Sequence, residues 1–510
     1  MTCRVLFFLF LFCVEFDLSG QIVSHSGQTK KLSEKQLPSA RTRVVLDSIA
    51  SAPVEIKVEI VLRLLSRGDI TREFAKPILV ELFYQADQAE SKIPVEGAIS
   101  QTLHVGDSDA WFQISASRLG LNKLSIQCRL VQELLAIDLQ LATDLFDTLQ
   151  PVIPAQSCRS AVRPDLKLYY SVLTKVYQRK FAGVARKQGE DIAWLASKAS
   201  ISSVVQIALL LRVLQRLALS DESRNQILHS ISGAMEALPY DDRSFSSVFE
   251  ITTAALAGDQ QSAGITDPAQ LSLRANWVRL ALRAINQTRC AENADKESIR
   301  RQLERLRPLA GEQERLLFPE TIPIPRSELE KAEFFSYWMP DAGGSLMDEL
   351  KRLRFGPLEG VRNELPFPNS LDPQKNEIPE ELRNSSAWRE ACTKLLISMD
   401  KWSTSTQLEK RHRFVILADL YGELLALIPE TDHVTMAATL NAALATMKDQ
   451  SIRREMPSLW MLKWQQLVEG FSERTKRLPL LRAATISSGD DVMVALFDVM
   501  DTSNESKQRR

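Results

Sequence analysis

Residues 203–219 read SVVQIALLLRVLQRLAL, a run in which apolar side chains occupy most positions. A helix that is apolar nearly all round is surrounded by other protein segments. The sequence therefore predicts a buried central helix over residues 201–219. Only 19 glycines occur among 510 residues, which disfavours an all-β fold rich in tight turns.

The helical pattern extends in both directions from this run. Residues 54–66 (VEIKVEIVLRLLS) follow Pro53, and Gly68 stands where that helix would end. Thr71 is the predicted N-cap of the next helix. Further helices are predicted over residues 123–137, 139–149, 165–181, 221–238, 244–257, 268–288, 386–402, 407–428, 431–447, 452–474 and 489–500. An extended piece is predicted within residues 93–105.

These elements predict an all-α protein with several parts. Residues 39–307 are predicted to form a helical-hairpin repeat array of the α-solenoid type, because helix pairs recur at roughly 35–45 residues. Residues 308–379 contain ten of the 22 prolines and are predicted to form an irregular connection packed on the helices. Residues 380–501 are predicted to form a C-terminal helical bundle. Flexible termini are predicted at 21–38 and, as a disordered tail, at 502–510.

Two local resemblances accompany this pattern. The segments ADLYGELLALIPE (418–430) and MAATLNAALATMKD (436–449) resemble tetratricopeptide helices in their alternation of small and large residues. The segments ALPYDDRSFS (237–246) and ELKRLRFGP (349–357) resemble stretches of exported all-helical bacterial proteins. These resemblances imply export and helicity, and they transfer no activity or site residue.

The N-terminus has the pattern of an export signal. Arg4 precedes eight apolar residues at 5–12, a length typical of a signal-peptide core and too short to span a bilayer. Residues 1–20 are therefore predicted to be a signal peptide, and the protein is expected to be periplasmic or secreted. An uncleaved anchor and a lipoprotein modified at Cys13 are the alternatives. No later stretch has the length and composition of a transmembrane segment.

Export permits disulfides. The four cysteines that follow the predicted signal peptide divide into two groups. Cys128 and Cys392 lie in helical patterns and are interpreted as small apolar residues. Cys158 and Cys290 lie in predicted interhelical loops, so a Cys158–Cys290 disulfide is the hypothesis. Four independent thiols are the alternative.

Charge and histidine content limit the classes of partner and cofactor that we expect. The chain has 63 basic and 64 acidic residues, a formal charge of −1, whereas nucleic-acid binders usually carry a basic excess. None of the five histidines pairs with another at metal-ligand spacing. The sequence therefore predicts no nucleic-acid partner, no metal and no cofactor.

No known catalytic motif occurs in the sequence. The weak catalytic candidates are Asp241 and Asp242, which stand beside Tyr240 and Arg243. An acid pair of this kind occurs in glycosidases, but a loop that leads into a helix, with Asp242 or Ser244 as its cap, is the preferred interpretation. Asp490 and Asp491 are interpreted as helix-entry residues. Trp460 and Trp464 are interpreted as a hydrophobic seam, because they lie four residues apart on one helix face.

These observations favour a non-enzymatic role. We expect an exported helical scaffold that binds another protein through a concave surface. The alternatives are a helical-toroid enzyme that acts on glycans and a structural component of the cell envelope.

Overall fold

Helices form nearly all the regular structure in the described part of the chain, so the predicted all-α class is confirmed. The computed structural model describes residues 21–23, 29–31, 37–92, 95–98, 116–151, 153, 162–182, 189–198, 200–238, 245–258, 268–287, 296–322, 346, 348–350, 353, 384–405, 408–429, 431–472 and 478–508.

Thirteen helices precede residue 322 in the described part of the chain. They are α1 (Ala40–Ser48), α2 (Val54–Arg67), α3 (Arg72–Gln85), α4 (Lys123–Leu134), α5 (Leu139–Asp147), α6 (Lys167–Lys180), α7 (Glu190–Lys198), α8 (Val204–Arg216), α9 (Asp221–Ala237), α10 (Phe245–Gly258), α11 (Pro268–Gln287), α12 (Lys296–Leu306) and α13 (Glu312–Arg315). Single 3₁₀ turns follow α3 at Ala86–Gln88 and α12 at Arg307–Leu309. The sequence interpretation predicted no helix at α1 or α7, nor at Leu478–Ser488 in the C-terminal part.

The helices after residue 384 form a second group. They are α14 (Ser386–Ser405), α15 (Lys410–Leu427), α16 (His433–Met447), α17 (Gln450–Glu455), α18 (Pro457–Ser472), α19 (Leu478–Ser488) and α20 (Asp491–Gln508). The last helix continues to Gln508, into the stretch for which the sequence predicts a disordered tail at 502–510.

Local capping chemistry sets most helix ends where the sequence places them. Gly68 ends α2 in the left-handed conformation with φ of 77°. Thr71 accepts a hydrogen bond from the Phe74 backbone N–H and begins α3. Ser203 and Gln206 form a capping box, so α8 begins at Val204 rather than at residue 201.

One predicted helix is wrong. The single helix predicted over residues 452–474 is two helices, α17 and α18, with a break at Met456. Asp449 caps α17 by accepting from the backbone N–H groups of Ser451 and Ile452. Pro457 begins α18, because proline fits a first helical position and cannot continue the preceding helix.

Two short antiparallel strand pairs accompany the helices. β1 (Gln21–Val23) pairs with β2 (Thr29–Lys31), within the N-terminal segment predicted to be flexible. β3 (Val95–Ala98) pairs with β4 (Val162–Pro164) across an irregular register. The extended piece predicted within residues 93–105 is therefore confirmed at β3.

Helix α8 is buried, as the sequence predicts. Nine of its thirteen residues are buried, and it packs on α6, α9 and α10. Charged helix faces remain in water: Arg300 on α12 pairs with Glu297 and Glu304, and all three side chains are more than half exposed. This charge cluster is therefore a solvated helix face.

The second group of helices packs against the start of the first. α20 contacts α1 and α2, and α18 contacts α2. Arg41 on α1 forms a 2.7 Å ion pair with Asp498 on α20, and the Arg67 guanidinium donates to the Asp498 carbonyl oxygen. Buried side chains of both groups belong to one hydrophobic core. Among the described helices, none combines the length and apolar composition needed to cross a bilayer.

We expect Ile207→Ala to lower the free energy of unfolding by about 2–5 kcal/mol, because Ile207 is fully buried in α8 and truncation leaves a cavity. Urea unfolding followed by circular dichroism measures this loss. Arg212→Ala on the exposed face of the same helix is the control, with an expected change of about 0.5 kcal/mol or less. Equal losses for the two variants would contradict the buried position of α8.

Candidate functional site

The catalytic and disulfide candidates predicted from the sequence lie outside the described residues. Asp241 and Asp242 precede α10, and the cysteines of the hypothesised disulfide, Cys158 and Cys290, also fall in undescribed stretches. Both hypotheses therefore stay predictions.

The other two cysteines of the helical region are structural. Cys128 on α4 and Cys392 on α14 are free thiols with no exposed surface, which confirms their interpretation as small apolar residues. Burial raises the pKa of both thiols, that of Cys392 to about 12. Neither is a thiolate near neutral pH, so neither has the character of a catalytic nucleophile.

The C-terminal residues singled out in the sequence also have structural roles. Trp460 and Trp464 are fully buried, and their rings stack with centroids 6.1 Å apart, so the hydrophobic seam is confirmed. Asp490 accepts from the Met493 backbone N–H at the start of α20 and pairs at 2.5 Å with Arg453. In the described part of the chain, no three His, Cys, Asp or Glu side chains converge as metal ligands would.

A cleft along α2 and α18 gathers charged side chains that the sequence analysis did not select. Two separate cavities, which share no lining residue, lie along this helix pair, and together we call them the α2–α18 cleft. Glu55, Glu59 and Arg63 recur every four residues on α2, so they form one stripe. On α18, Pro457 lines the first cavity and Met461 lines the second, so the two helices run in the same direction.

The first cavity forms the acidic end of the cleft. It has a volume of about 440 Å³, and three carboxylates (Glu55, Glu90 and Glu455) line it with the single guanidinium of Arg454. The Glu55 carboxylate is buried and accepts from the Glu90 backbone N–H at 2.7 Å. The Glu90 carboxylate in turn accepts from the Ser458 backbone N–H at 3.4 Å, and so it links the first helical group to α18.

Burial raises the pKa of two of the three carboxyl groups at this end, those of Glu90 and Glu55. The pKa of Glu90 is about 7, although its side chain is open to the cavity, because surrounding protein removes water from the carboxyl and Glu55 adds a like charge. The pKa of Glu55 is also raised by burial. A neutral or half-ionised carboxyl near pH 7 can accept, donate or exchange a proton.

The second cavity forms the basic end. It has a volume of about 530 Å³, and three arginines (Arg63, Arg118 and Arg129) line it with the carboxylates of Glu59 and Asp165. Glu59 accepts from the Arg63 Nε at 2.5 Å and from the Arg129 Nη2 at 2.8 Å. Burial alone would raise the pKa of Glu59, but the charges of Arg129 and Arg63 outweigh it and lower that pKa.

The loop before α4 closes over this ion cluster. Gly120 adopts a φ of 67°, in the left-handed region, and a Cβ there would lie 3.1 Å from the Arg129 side chain. The Arg129 guanidinium also donates to the carbonyl oxygens of Leu119 and Gly120. Arg118 on the same loop is exposed, and no ion pair joins it to another described residue.

Polar side chains complete the lining, and aromatic ones are missing from it. Gln132 and Gln465 lie at the basic end and Gln88 at the acidic end, and no Phe, Tyr or Trp is among the described residues that line either cavity. The sequence contains one indication of this site: Glu55 and Glu59 stand four residues apart, on one face of α2. That pattern does not predict the partner helix, α18, which lies about 400 residues later.

Comparison with known proteins gives no relative. No family model matches the chain, and no curated protein and no solved structure matches it either. Interpretation of the cleft therefore depends on its own residues.

The raised pKa of Glu90 predicts a pH-dependent stability. The pKa of an unfolded glutamate is about 4.3, so the folded chain holds an extra proton between that value and about 7. This stabilisation is complete below the unfolded pKa and is lost as pH rises through 7. We expect Glu90→Gln, which stays neutral, to melt at a higher temperature than the wild type at about pH 8, and to lose part of the pH dependence above about pH 5.

Melting curves across this pH range measure the effect. Glu390→Gln is the matched control, because Glu390 is an exposed carboxylate on α14 outside the cleft. Parallel melting profiles for the wild type and Glu90→Gln would show that Glu90 does not titrate near neutral pH.

Removal of the Glu59 carboxylate tests the ion cluster. Glu59→Gln leaves two partly buried guanidinium groups without their counter-charge, so we expect a loss of about 1–3 kcal/mol in unfolding free energy. Glu304→Gln in the exposed pair with Arg300 is expected to cost at most about 1 kcal/mol. Chemical denaturation of both variants gives the comparison, and an equal cost would contradict a structural role for Glu59.

Proposed function

We propose that this protein is an exported helical scaffold that binds a segment of another polypeptide in the α2–α18 cleft. The observation that carries this proposal is a polar, charged cleft at the junction of the two helical groups. Export is part of the proposal and is supported by Arg4 and the apolar run at residues 5–12. The helical-hairpin array of residues 39–307, with the Pro-rich connection at 308–379, is the scaffold that we infer around it.

The lining of the cleft suits a polypeptide better than a glycan or a nucleic acid. Amide side chains such as Gln132 and Gln465 offer both donors and acceptors, which matches the backbone of an extended peptide. Carbohydrate sites usually include aromatic platforms, and none is present among the described lining residues. The formal charge of −1 gives no general attraction for phosphate backbones.

A helical enzyme that acts on glycans is the second candidate. It is favoured by one observation, the proximity of Glu55 to Glu90, whose pKa is raised to about 7. A general acid in a glycosidase has a raised pKa of this kind. However, burial raises the pKa of Glu55 as well, whereas such an enzyme needs one of the two carboxyls to remain ionised.

Affinity purification of the tagged protein from its native host tests the binding proposal. We expect a reproducible partner in mass spectrometry, and Arg118→Glu to reduce its recovery by about tenfold, because the substitution reverses a charge on the cleft wall. Arg212→Glu on the exposed face of α8 is the matched charge reversal outside the cleft, and it is expected to leave recovery unchanged.

The same preparations separate the two candidates. A solitary protein, or a partner retained equally by Arg118→Glu, would contradict polypeptide binding in the cleft. Glycan hydrolysis that is lost in Glu90→Gln would support the enzyme, with Asp241→Asn and Asp242→Asn as tests of the acid pair noted in the sequence.

A further inference from the structure

A separate cavity lies between α9, α11 and the turn that follows α13. It has a volume of about 490 Å³, which is in the range typical of small-ligand pockets, and it shares no lining residue with either cavity of the α2–α18 cleft. Helix α11 lines it with Asn276, Arg279, Leu282, Arg283 and Asn286. We call it the Arg283 cavity.

The polar residues of α11 form one stripe along this cavity. Asn276, Arg279, Arg283 and Asn286 follow one another at intervals of three or four residues, so they lie on one face of the helix. A single helix therefore presents two guanidinium groups and two amides to the same space. What these groups can bind depends on which of them already have partners within the protein.

The first two residues of the stripe have internal partners. The buried Asn276 side chain donates from Nδ2 to the Glu236 carboxylate at 3.1 Å, and its Oδ1 accepts from the Arg279 Nη1 at 3.4 Å. The Arg279 Nη2 pairs at 2.7 Å with the carboxylate of Glu314, which is buried on α13. Asn276 and Arg279 are therefore structural, and we assign neither of them to a ligand.

The last two residues of the stripe have no such partners. Arg283 and Asn286 are exposed, and neither a hydrogen bond nor an ion pair joins either side chain to another described residue. A guanidinium offers two parallel donors to a carboxylate, and the amide adds a further donor three positions along the helix. Helical side chains lean toward the N-terminus, so both polar groups lie back from the last carbonyl groups of α11.

The acidic group of the cavity lies away from Arg283. Glu236 on α9 is exposed and contacts Asn276, which precedes Arg283 by seven positions. At about 1.5 Å per residue this separation is roughly 10 Å along α11, and water screens the interaction of exposed charges over such a distance. The end of the cavity at Arg283 therefore carries a net positive charge.

An apolar wall completes the cavity. Leu317 lines it and is 52% exposed, although it lies beside the ion pair that joins α13 to α11. An aliphatic group that packs on Leu317 removes part of this apolar surface from water. The cavity thus combines donors for a carboxylate with a place for a hydrocarbon group.

We propose that the Arg283 cavity binds a carboxylate that has an aliphatic group close to it. The carboxylate lies on Arg283 and Asn286, and the aliphatic group packs against Leu317. A free acid and the C-terminal residue of a polypeptide both have this chemistry. The inference goes beyond the proposed function, because it concerns a different cavity.

Calorimetric titration of the full chain with small probes tests the two parts of the ligand. The probes are N-acetyl-leucine, its amide, which lacks the carboxylate, and N-acetylglycine, which lacks the aliphatic group. We expect N-acetyl-leucine to bind at least about tenfold more tightly than the amide and about fivefold more tightly than N-acetylglycine. Equal affinity for N-acetyl-leucine and its amide, or no binding of either acid, would overturn the proposal.

Substitution of the arginine locates the carboxylate. Arg283→Gln is expected to weaken the binding of N-acetyl-leucine by about tenfold, and Arg283→Lys to weaken it less, because lysine keeps the charge but not the paired donors. Arg212→Gln on the exposed face of α8 is the matched control and is expected to bind like the wild type. Circular dichroism checks that each variant folds. Wild-type affinity in Arg283→Gln would overturn the assignment.

Two neighbouring leucines locate the aliphatic group. Leu317→Ala is expected to remove the preference for N-acetyl-leucine over N-acetylglycine. Leu316→Ala is the control, because Leu316 is also exposed but does not line the cavity. A full preference retained in Leu317→Ala would overturn the placement of the aliphatic group.

A peptide identifies the source of the carboxylate. The probe is Gly-Ser-Gly-Ser-Leu with a free C-terminus. Binding at least as tight as that of N-acetyl-leucine would support the end of a polypeptide as the ligand, and weaker binding would support a free acid. Because the Arg283 cavity shares no residue with the α2–α18 cleft, failure of these titrations would leave the proposed function standing.

Discussion

The packing of α2 between the two helical groups is the constraint on which the described structure depends. Half of its fourteen residues are buried, and they point to all sides of the helix. α2 contacts α3 within its own group and α18 and α20 in the other. A helix in this position has little solvent-exposed surface for polar groups, so each of its charged side chains needs a hydrogen-bond or ion-pair partner. The carboxylate of Glu55 accepts a backbone N–H, and that of Glu59 is held by two arginines. The cleft is the place where these requirements are met.

The electrostatic environment of the carboxylates differs between the two ends of the cleft. At the basic end, opposite charges satisfy one another, and the pKa of Glu59 is lowered in spite of burial. At the acidic end, Glu55 is buried beside Glu90, and the surrounding protein together with this like charge raises the pKa of Glu90 to about 7. The first arrangement is that of a structural clamp, because it holds α2, α4 and the loop at Gly120 together. The second is only partly compensated, because the Ser458 backbone N–H and Arg411 oppose the effect of burial on Glu90 without cancelling it.

Much of the fold was predictable because it depends on local chemistry. The positive φ of Gly68, the cap at Thr71 and the apolar run of α8 are each set by residues within one or two turns. The break before Pro457 is local too, but the sequence interpretation passed over it in favour of continuous apolar periodicity. The candidate site was not predictable in this way. Arg41 and Asp498 are separated by 457 positions, and Ser458 and Glu90 by 368. A single sequence does not indicate which helices that are far apart along the chain pack against each other.

These long separations along the sequence also affect how the cleft forms during folding. The contacts of α3 through α11 join elements that are close in sequence, so they can form as soon as each helix is available. The side of α2 that faces α18 and α20 is completed only by residues after Pro457. Contacts of such high sequence separation carry a larger loop-closure entropy cost than local ones. The α2–α18 cleft therefore exists only in the fully folded chain, and a binding activity located there reports on completed folding in a way that an activity confined to one helical group would not.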